Sequence, residues 1–245
     1  MTGPAPHRRL RVALAAAAGS LALLAPGTAH AIVGGTPAPS DHWPWMAAIM
    51  AADIREAAWG QYCGGVVIAP RRVLTAAHCV VGKRARAVDV LVGRTRLTEA
   101  GGRRLDVSAI SLYPGYARDR RHALDAAVLT LAKPADVAPV TLASPGDEAA
   151  WPAGANAWTV GWGTLNARRS RGGDWYYADR LRELRLPIVS DDACESVFGV
   201  GWRKAPYLPS RLICGGTGDG TSGPCYGDSG GPLVVATTAG WLDVG

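Results

Sequence analysis

Short apolar runs, broken every few residues by Gly, Pro or charge, set the rhythm of the chain. Val66-Val67-Ile68, Val88 to Val92 and Val128 to Leu131 carry β-branched or alternating apolar residues and predict strands. Lys133-Pro134 closes the third, and Pro139 to Asp147 reads as a linker. A second set of elements begins near Asn156. Trp158 to Trp162 and Leu212-Ile213-Cys214 predict strands, whereas Leu181 to Pro187 has helical-looking composition and stays ambiguous on pattern alone. Ser190-Asp191-Asp192 reads as the N-cap and acidic first turn of a short helix. Asn166 to Tyr177 is polar and rich in Arg and Gly, which predicts an exposed, easily nicked loop. No internal repeat is visible.

Composition agrees with this pattern. With 31 Gly and 17 Pro in 245 residues, the chain reads as all-β, long enough for two modest cores or one large one. Its amino end differs from the rest. Met1 to Arg11 is basic, and Val12 to Leu24 is an Ala/Leu-rich run too short to span a bilayer. Pro26-Gly27 ends that run, and Ala29-His30-Ala31 has the small-residue form of a cleavage site, so residues 1–31 predict a signal peptide and a secreted, extracellular product without a membrane anchor. Arg8-Arg9 invites a twin-arginine reading that its neighbours support poorly. Of the formal charge of +6, three come from Arg8, Arg9 and Arg11, leaving about +3 on a processed chain. The remaining arginines are interspersed with acids, so nucleic acid is not an expected partner. Five cysteines in an exported chain predict disulfides.

The candidate chemistry gathers around Cys225-Tyr226-Gly227-Asp228-Ser229-Gly230-Gly231-Pro232. Glycines around a serine permit a tight turn, and the N–H groups of Gly227 and Ser229 can then face one small space, as an oxyanion hole requires. The plainer reading is a Gly-rich turn before the core strand that begins at Leu233. A serine hydroxyl needs a neighbouring base to act as a nucleophile at neutral pH. His78, in Thr75-Ala76-Ala77-His78-Cys79, stands where a strand ends, and HExxH zinc spacing is absent from the chain. Asp125 heads the apolar strand that follows it. Taken singly, it is an ordinary loop acid; joined to His78 and Ser229, it completes a Ser-His-Asp set.

Together with Ile32-Val33-Gly34-Gly35, Cys63-Gly64-Gly65 and Gly161-Trp162-Gly163-Thr164, these motifs come in the order found in the chymotrypsin/trypsin family of serine endopeptidases, which the chain resembles from Ile32 to Gly245. The resemblance implies two antiparallel six-stranded β-barrels, about 32–142 and 150–245, and makes Leu181 to Pro187 a strand. It implies His78, Asp125 and Ser229 as the catalytic triad, protein or peptide substrates, no metal or organic cofactor, and a monomer. It implies disulfides Cys63–Cys79 and Cys194–Cys214, each worth about 3 kcal/mol on a chain-entropy estimate. It also implies that an ammonium group at Ile32, freed by cleavage after Ala31, pairs with Asp228. The residue six positions before the nucleophile, here Gly223, would line the base of the specificity pocket, and its lack of charge points to an apolar or small residue on the acyl side. Asp219 lies close enough in sequence for a loop shift to alter that expectation. The loop Thr98 to Arg104, where some members bind calcium, has one acid, Glu99, and too few oxygen ligands.

One departure stands at the carboxyl end. Members of the family continue for a few dozen residues past the position of Gly245, supplying a pocket wall and the cysteine that would pair with Cys225. The resemblance thus implies a second barrel left incomplete and a truncated sequence with weakened activity. The alternative is a non-catalytic binding homologue, although no triad member is missing.

Overall fold

All three of the early apolar runs become staves of one closed barrel. The computed structural model describes residue 3 and residues 32–116, 124–165, 177–201 and 207–245. Apart from residue 3, the predicted signal peptide lies outside these residues, as does residues 166–176 of the predicted loop.

The first strand, β1 (Thr36–Pro37), is followed by β2 (Met46–Ala51), β3 (Gln61–Ala69), β4 (Arg72–Thr75), β5 (Val88–Val92), β6 (Arg103–Leu112) and β7 (Ala127–Leu131). Strands β2 to β7 close in the antiparallel order β2-β3-β4-β7-β6-β5, which leaves this barrel without an open edge. Alternation decides which side chains enter it. In β7, Ala127, Leu129 and Leu131 are buried while Val128 and Thr130 lie partly outside. Ile49, Val67, Val73, Val88, Val90, Leu129 and Leu131 are fully enclosed, each contributing roughly 1.5–3 kcal/mol by removal from water. Arg103 and Arg104 of the stretch Thr98 to Arg104 already belong to β6, and Glu99 is engaged by Arg96.

Beyond the barrel run β8 (Thr141–Leu142), β9 (Asn156–Gly161), β10 (Arg182–Val189), β11 (Cys214–Gly215), β12 (Leu233–Thr237) and β13 (Gly240–Asp243). They form an open second sheet in the order β1-β10-β9-β12-β13-β8, with β11 beside β10. The fold is therefore all-β, one closed six-stranded barrel and one open sheet. Three helices of more than three residues are described: α1 (Ala57–Gly60), α2 (Ala77–Val80) and α3 (Asp191–Gly201). The Ser190 hydroxyl accepts from the Ala193 N–H at the start of α3, the predicted cap.

Two details differ from the sequence reading. The stretch 139–147 is not only a linker, because β8 lies parallel to β13 with Leu242 opposite Thr141. The strand expected at 212–214 reduces to Cys214–Gly215, since the Leu212 N–H turns back to the Leu208 carbonyl instead of joining a ladder.

The two bodies meet through aromatic rings. Trp43 packs 4.6 Å from Trp241 and 5.4 Å from Trp45, and Trp241 lies 5.3 Å from Trp158, centroid to centroid. Such pairs add about 0.5–1.5 kcal/mol each beyond their area. The Trp43 indole N–H also donates to Glu183 on β10 at 2.6 Å.

Candidate active site

Strand register brings the first two chemical groups together. In the β4–β7 pair Thr75 faces Ala127, so the residues just after β4 lie beside those just before β7. His78 stands in α2 and Asp125 two positions ahead of β7. The Asp125 carboxylate accepts from the His78 backbone N–H at 2.7 Å and holds Nδ1 of its ring at 2.6 Å. A proton on Nδ1 leaves the lone pair of Nε2 facing away from the carboxylate. The Cys63–Cys79 disulfide, with Cα atoms 6.3 Å apart, clamps this turn to β3. A second disulfide joins Cys194 to Cys214, and Cys225 belongs to neither.

Ser229 comes from the second sheet, in the turn ahead of β12. Its carbonyl accepts from the Gly64 N–H at 2.8 Å, which docks the turn onto β3 of the barrel. Side chains would prevent that approach: a Cβ at Gly64 would lie 3.0 Å from Gly231 backbone, and one at Gly230 would lie 2.7 Å from the Ala76 nitrogen. The turn thus rests against the segment leading into His78. Cys79 Sγ lies 3.7 Å from His78 Nε2 and 3.6 Å from the Ser229 carbonyl. Among the described residues no hydrogen bond joins Ser229 Oγ to Nε2; in sites without substrate such bonds are often long.

The neighbouring N–H groups suit an anion. Gly227 has φ +92°, a conformation that favours glycine, and neither its N–H nor that of Ser229 donates to an acceptor among the described residues. The Gly227 carbonyl accepts from the side chain of Gln61 at 2.7 Å. Nothing in the sequence singled out Gln61, whose partner is 166 residues away.

Asp228 is 4 % exposed and accepts from the Gly163 N–H at 2.7 Å and the Cys225 N–H at 2.9 Å. Burial pushes its carboxyl up to about 6, against the opposing pull of those two bonds. Ile32 is fully buried, and the adjoining Val33 bridges to Gly223, whose N–H donates to the Val33 carbonyl at 2.9 Å.

Beside Ser229 opens a cavity of about 660 Å³, walled by Leu186, Ile213, Gly215, Pro224 and Leu233, with Asp228 the one charged side chain among the described residues that line it. Gly223 lies one residue outside this wall. Asp219 is not in it either. Its carboxylate accepts from the Thr217 and Thr221 hydroxyls and the Thr221 N–H, and these bonds lower it to about 2. Cys63, His78 and Cys79 bring potential metal-ligand atoms within 4.8 Å of one another, but the disulfide leaves neither sulfur as a thiolate. Among the described residues no helix is long and apolar enough to cross a membrane.

A family model described as Trypsin matches residues 32–242. The chain is 36 % identical over 204 residues to a trypsin of Saccharopolyspora erythraea, covering 83 % of this chain and 82 % of that protein. It is 32 % identical over 237 residues to a tryptase of Mus musculus, covering 92 % and 82 %, and 32 % identical over 223 residues to serine protease 28 of Mus musculus, covering 87 % and 78 %. The chain belongs to the trypsin family of serine proteases.

Proposed function

We propose that the chain cleaves peptide bonds through an acyl-enzyme formed on Ser229. Ser229 Oγ attacks the scissile carbonyl while His78 Nε2 takes its proton. Asp125 holds the ring in the tautomer that leaves Nε2 unprotonated and stabilises the imidazolium that results. The carbonyl oxygen becomes an anion beside the Gly227 and Ser229 N–H groups. Collapse breaks the C–N bond, and His78 returns the proton to the departing amine. Water, deprotonated by the same imidazole, then attacks the acyl carbon, releasing the acid and restoring Ser229.

The observation that carries this reading is the two-point hold of Asp125 on His78, next to a serine turn docked at Gly64. Substrates are proteins or peptides, and the apolar cavity supports an apolar or small residue on the acyl side. The working form is a monomer acting outside the cell after cleavage at Ala31, with the Ile32 ammonium paired to Asp228. The buried Ile32 and the Val33–Gly223 bridge support that last step. Residues 32–142 and 150–245 act as its two halves.

A fluorophosphonate probe tests the assignment. Wild type labels rapidly, whereas Ser229→Ala does not label and His78→Ala labels slowly. A wild type that labels no faster than Ser229→Ala overturns it and favours a non-catalytic binding protein.

A further inference from the structure

Gln61 opens β3, is 6 % exposed, and has no part in the chemistry above. Its Nε2 donates to the Gly227 carbonyl at 2.7 Å and to the Cys63 carbonyl at 3.1 Å. An amide nitrogen has two hydrogens, so both are used. The amide oxygen cannot take this place, because it would face two carbonyl oxygens.

The backbone on the far side of that bond is a hinge between two peptide planes. The plane from Tyr226 to Gly227 carries the Gly227 N–H and is held at its carbonyl by the Thr164 N–H at 2.8 Å. The plane from Gly227 to Asp228 is held at its N–H by the Cys225 carbonyl at 3.0 Å and at its carbonyl by Gln61. Between them stands a glycine, where rotation meets the least resistance. Without Gln61 the second plane keeps one tie, and a buried carbonyl left without its donor favours a shift of that plane. The two planes share the Gly227 Cα, so a second plane that shifts carries that atom, and with it the Gly227 N–H, out of position, and an oxyanion donor works only within about 2.7–3.1 Å of the developing charge.

We propose that Gln61 is a positioning residue for the oxyanion hole: by donating to the Gly227 carbonyl it keeps the Gly227 N–H aimed at the developing anion. This rests on the roles given above to Ser229 and Gly227. Gln61 touches neither substrate nor reacting atoms. Through Cys63 the same side chain ties this hinge to the disulfide that clamps the His78 turn, so base and anion site share one support.

Gln61→Met keeps the length and apolar stem but supplies no donor, and Gln61→Glu keeps the shape while placing oxygens against the two carbonyls. Since deleting an oxyanion donor outright costs about 10²–10³ in kcat, misaiming one lowers kcat about tenfold in Gln61→Met, with KM within about threefold. Gln61→Glu falls at least as far. A peptide aldehyde, whose adduct bears the oxyanion, binds more weakly by the same factor as kcat/KM. The downfield proton resonance of the His78–Asp125 bond does not move. Unchanged kcat and aldehyde affinity in Gln61→Met, with only the melting temperature lowered, make Gln61 a packing residue and overturn the proposal. Should neither variant fold, a crystal structure of the wild-type aldehyde adduct decides: an Nε2–carbonyl separation beyond about 3.5 Å overturns it. A wild type inert to substrate and aldehyde overturns the peptidase reading and this one together, whereas an active wild type with an unaffected Gln61→Met overturns this one alone.

Discussion

Replacing Asp243 by Asn should make the protein more stable at pH 8 and less dependent on pH. Asp243 ends β13, is 6 % exposed, and has one carboxylate oxygen, Oδ1, with no hydrogen-bond partner among the described residues. Burial pushes its carboxyl from 3.8 up to about 7, with hydrogen bonding from the Gly245 backbone pulling the other way. The unfolded chain releases this proton near pH 4 and the folded chain holds it to about 7, so the folded state binds it more tightly between those values. Stability contributed by the protonated form is therefore present below pH 4 and lost as pH rises towards 7 and beyond. At about 1.4 kcal/mol per pH unit the loss is on the order of 4 kcal/mol, a large part of the 5–15 kcal/mol typical of a folded protein. Asparagine removes the ionisation but buries an amide hydrogen without an acceptor, at about 1–3 kcal/mol. The net expectation is a gain of about 1–3 kcal/mol at pH 8 and a small loss at pH 4.5. Urea unfolding from pH 4.5 to 8.5, in a Ser229→Ala background that prevents self-digestion, measures both. Where the Ile32 ammonium does not pair with it, Asp228, raised to about 6, adds a slope of the same sign. A wild type equally stable at pH 5 and 8, or an Asn variant that keeps the whole slope, would refute the reasoning.

Further outcomes follow from other parts of the structure. Asp125→Asn leaves a ring nitrogen in the wrong tautomer and should lower kcat about 10⁴-fold near neutral pH while leaving the fold intact, as single-turnover acylation and circular dichroism would record. Opening the Cys63–Cys79 loop with a double Cys→Ala change should cost about 3 kcal/mol in denaturant unfolding and lower activity as well, because the clamp holds the His78 turn. Protein beginning at Ile32 should be more active than protein retaining one extra residue. Equal rates from the two, with N-termini checked by sequencing, would remove the ammonium–Asp228 pair from the account. A library of fluorogenic peptides should show greater kcat/KM for apolar or small acyl-side residues than for Arg or Lys; a preference for Arg would mean that the apolar cavity is not the pocket.

The parts legible beforehand were those in which one short segment carries its own constraint. The glycines about Ser229 and the apolar runs of β5 and β7 are of this kind, since turn geometry and alternation act over a few residues. Strand β10 was legible only through the family resemblance, because Arg182 to Val189 has helix-compatible composition that pairing with β9 and β1 overrides. The two-residue strands β8 and β11 exist only through distant ladders, at Leu242 and at Ile188–Val189. Gln61 and Asp243 escaped for the same reason. A polar residue at the head of an apolar strand and an acid in Trp241-Leu242-Asp243-Val244 look like surface residues until distant segments cover them.

The Ser229 turn belongs to the open sheet and the His78–Asp125 pair to the closed barrel, with the Gly64 N–H as the seam. On the proposed assignment, neither body holds a complete hydrolytic apparatus. A molecule whose sheet has come away, or a nascent one whose later strands have yet to settle, would lack the power to digest its siblings. Silence during synthesis and export then comes from the architecture itself.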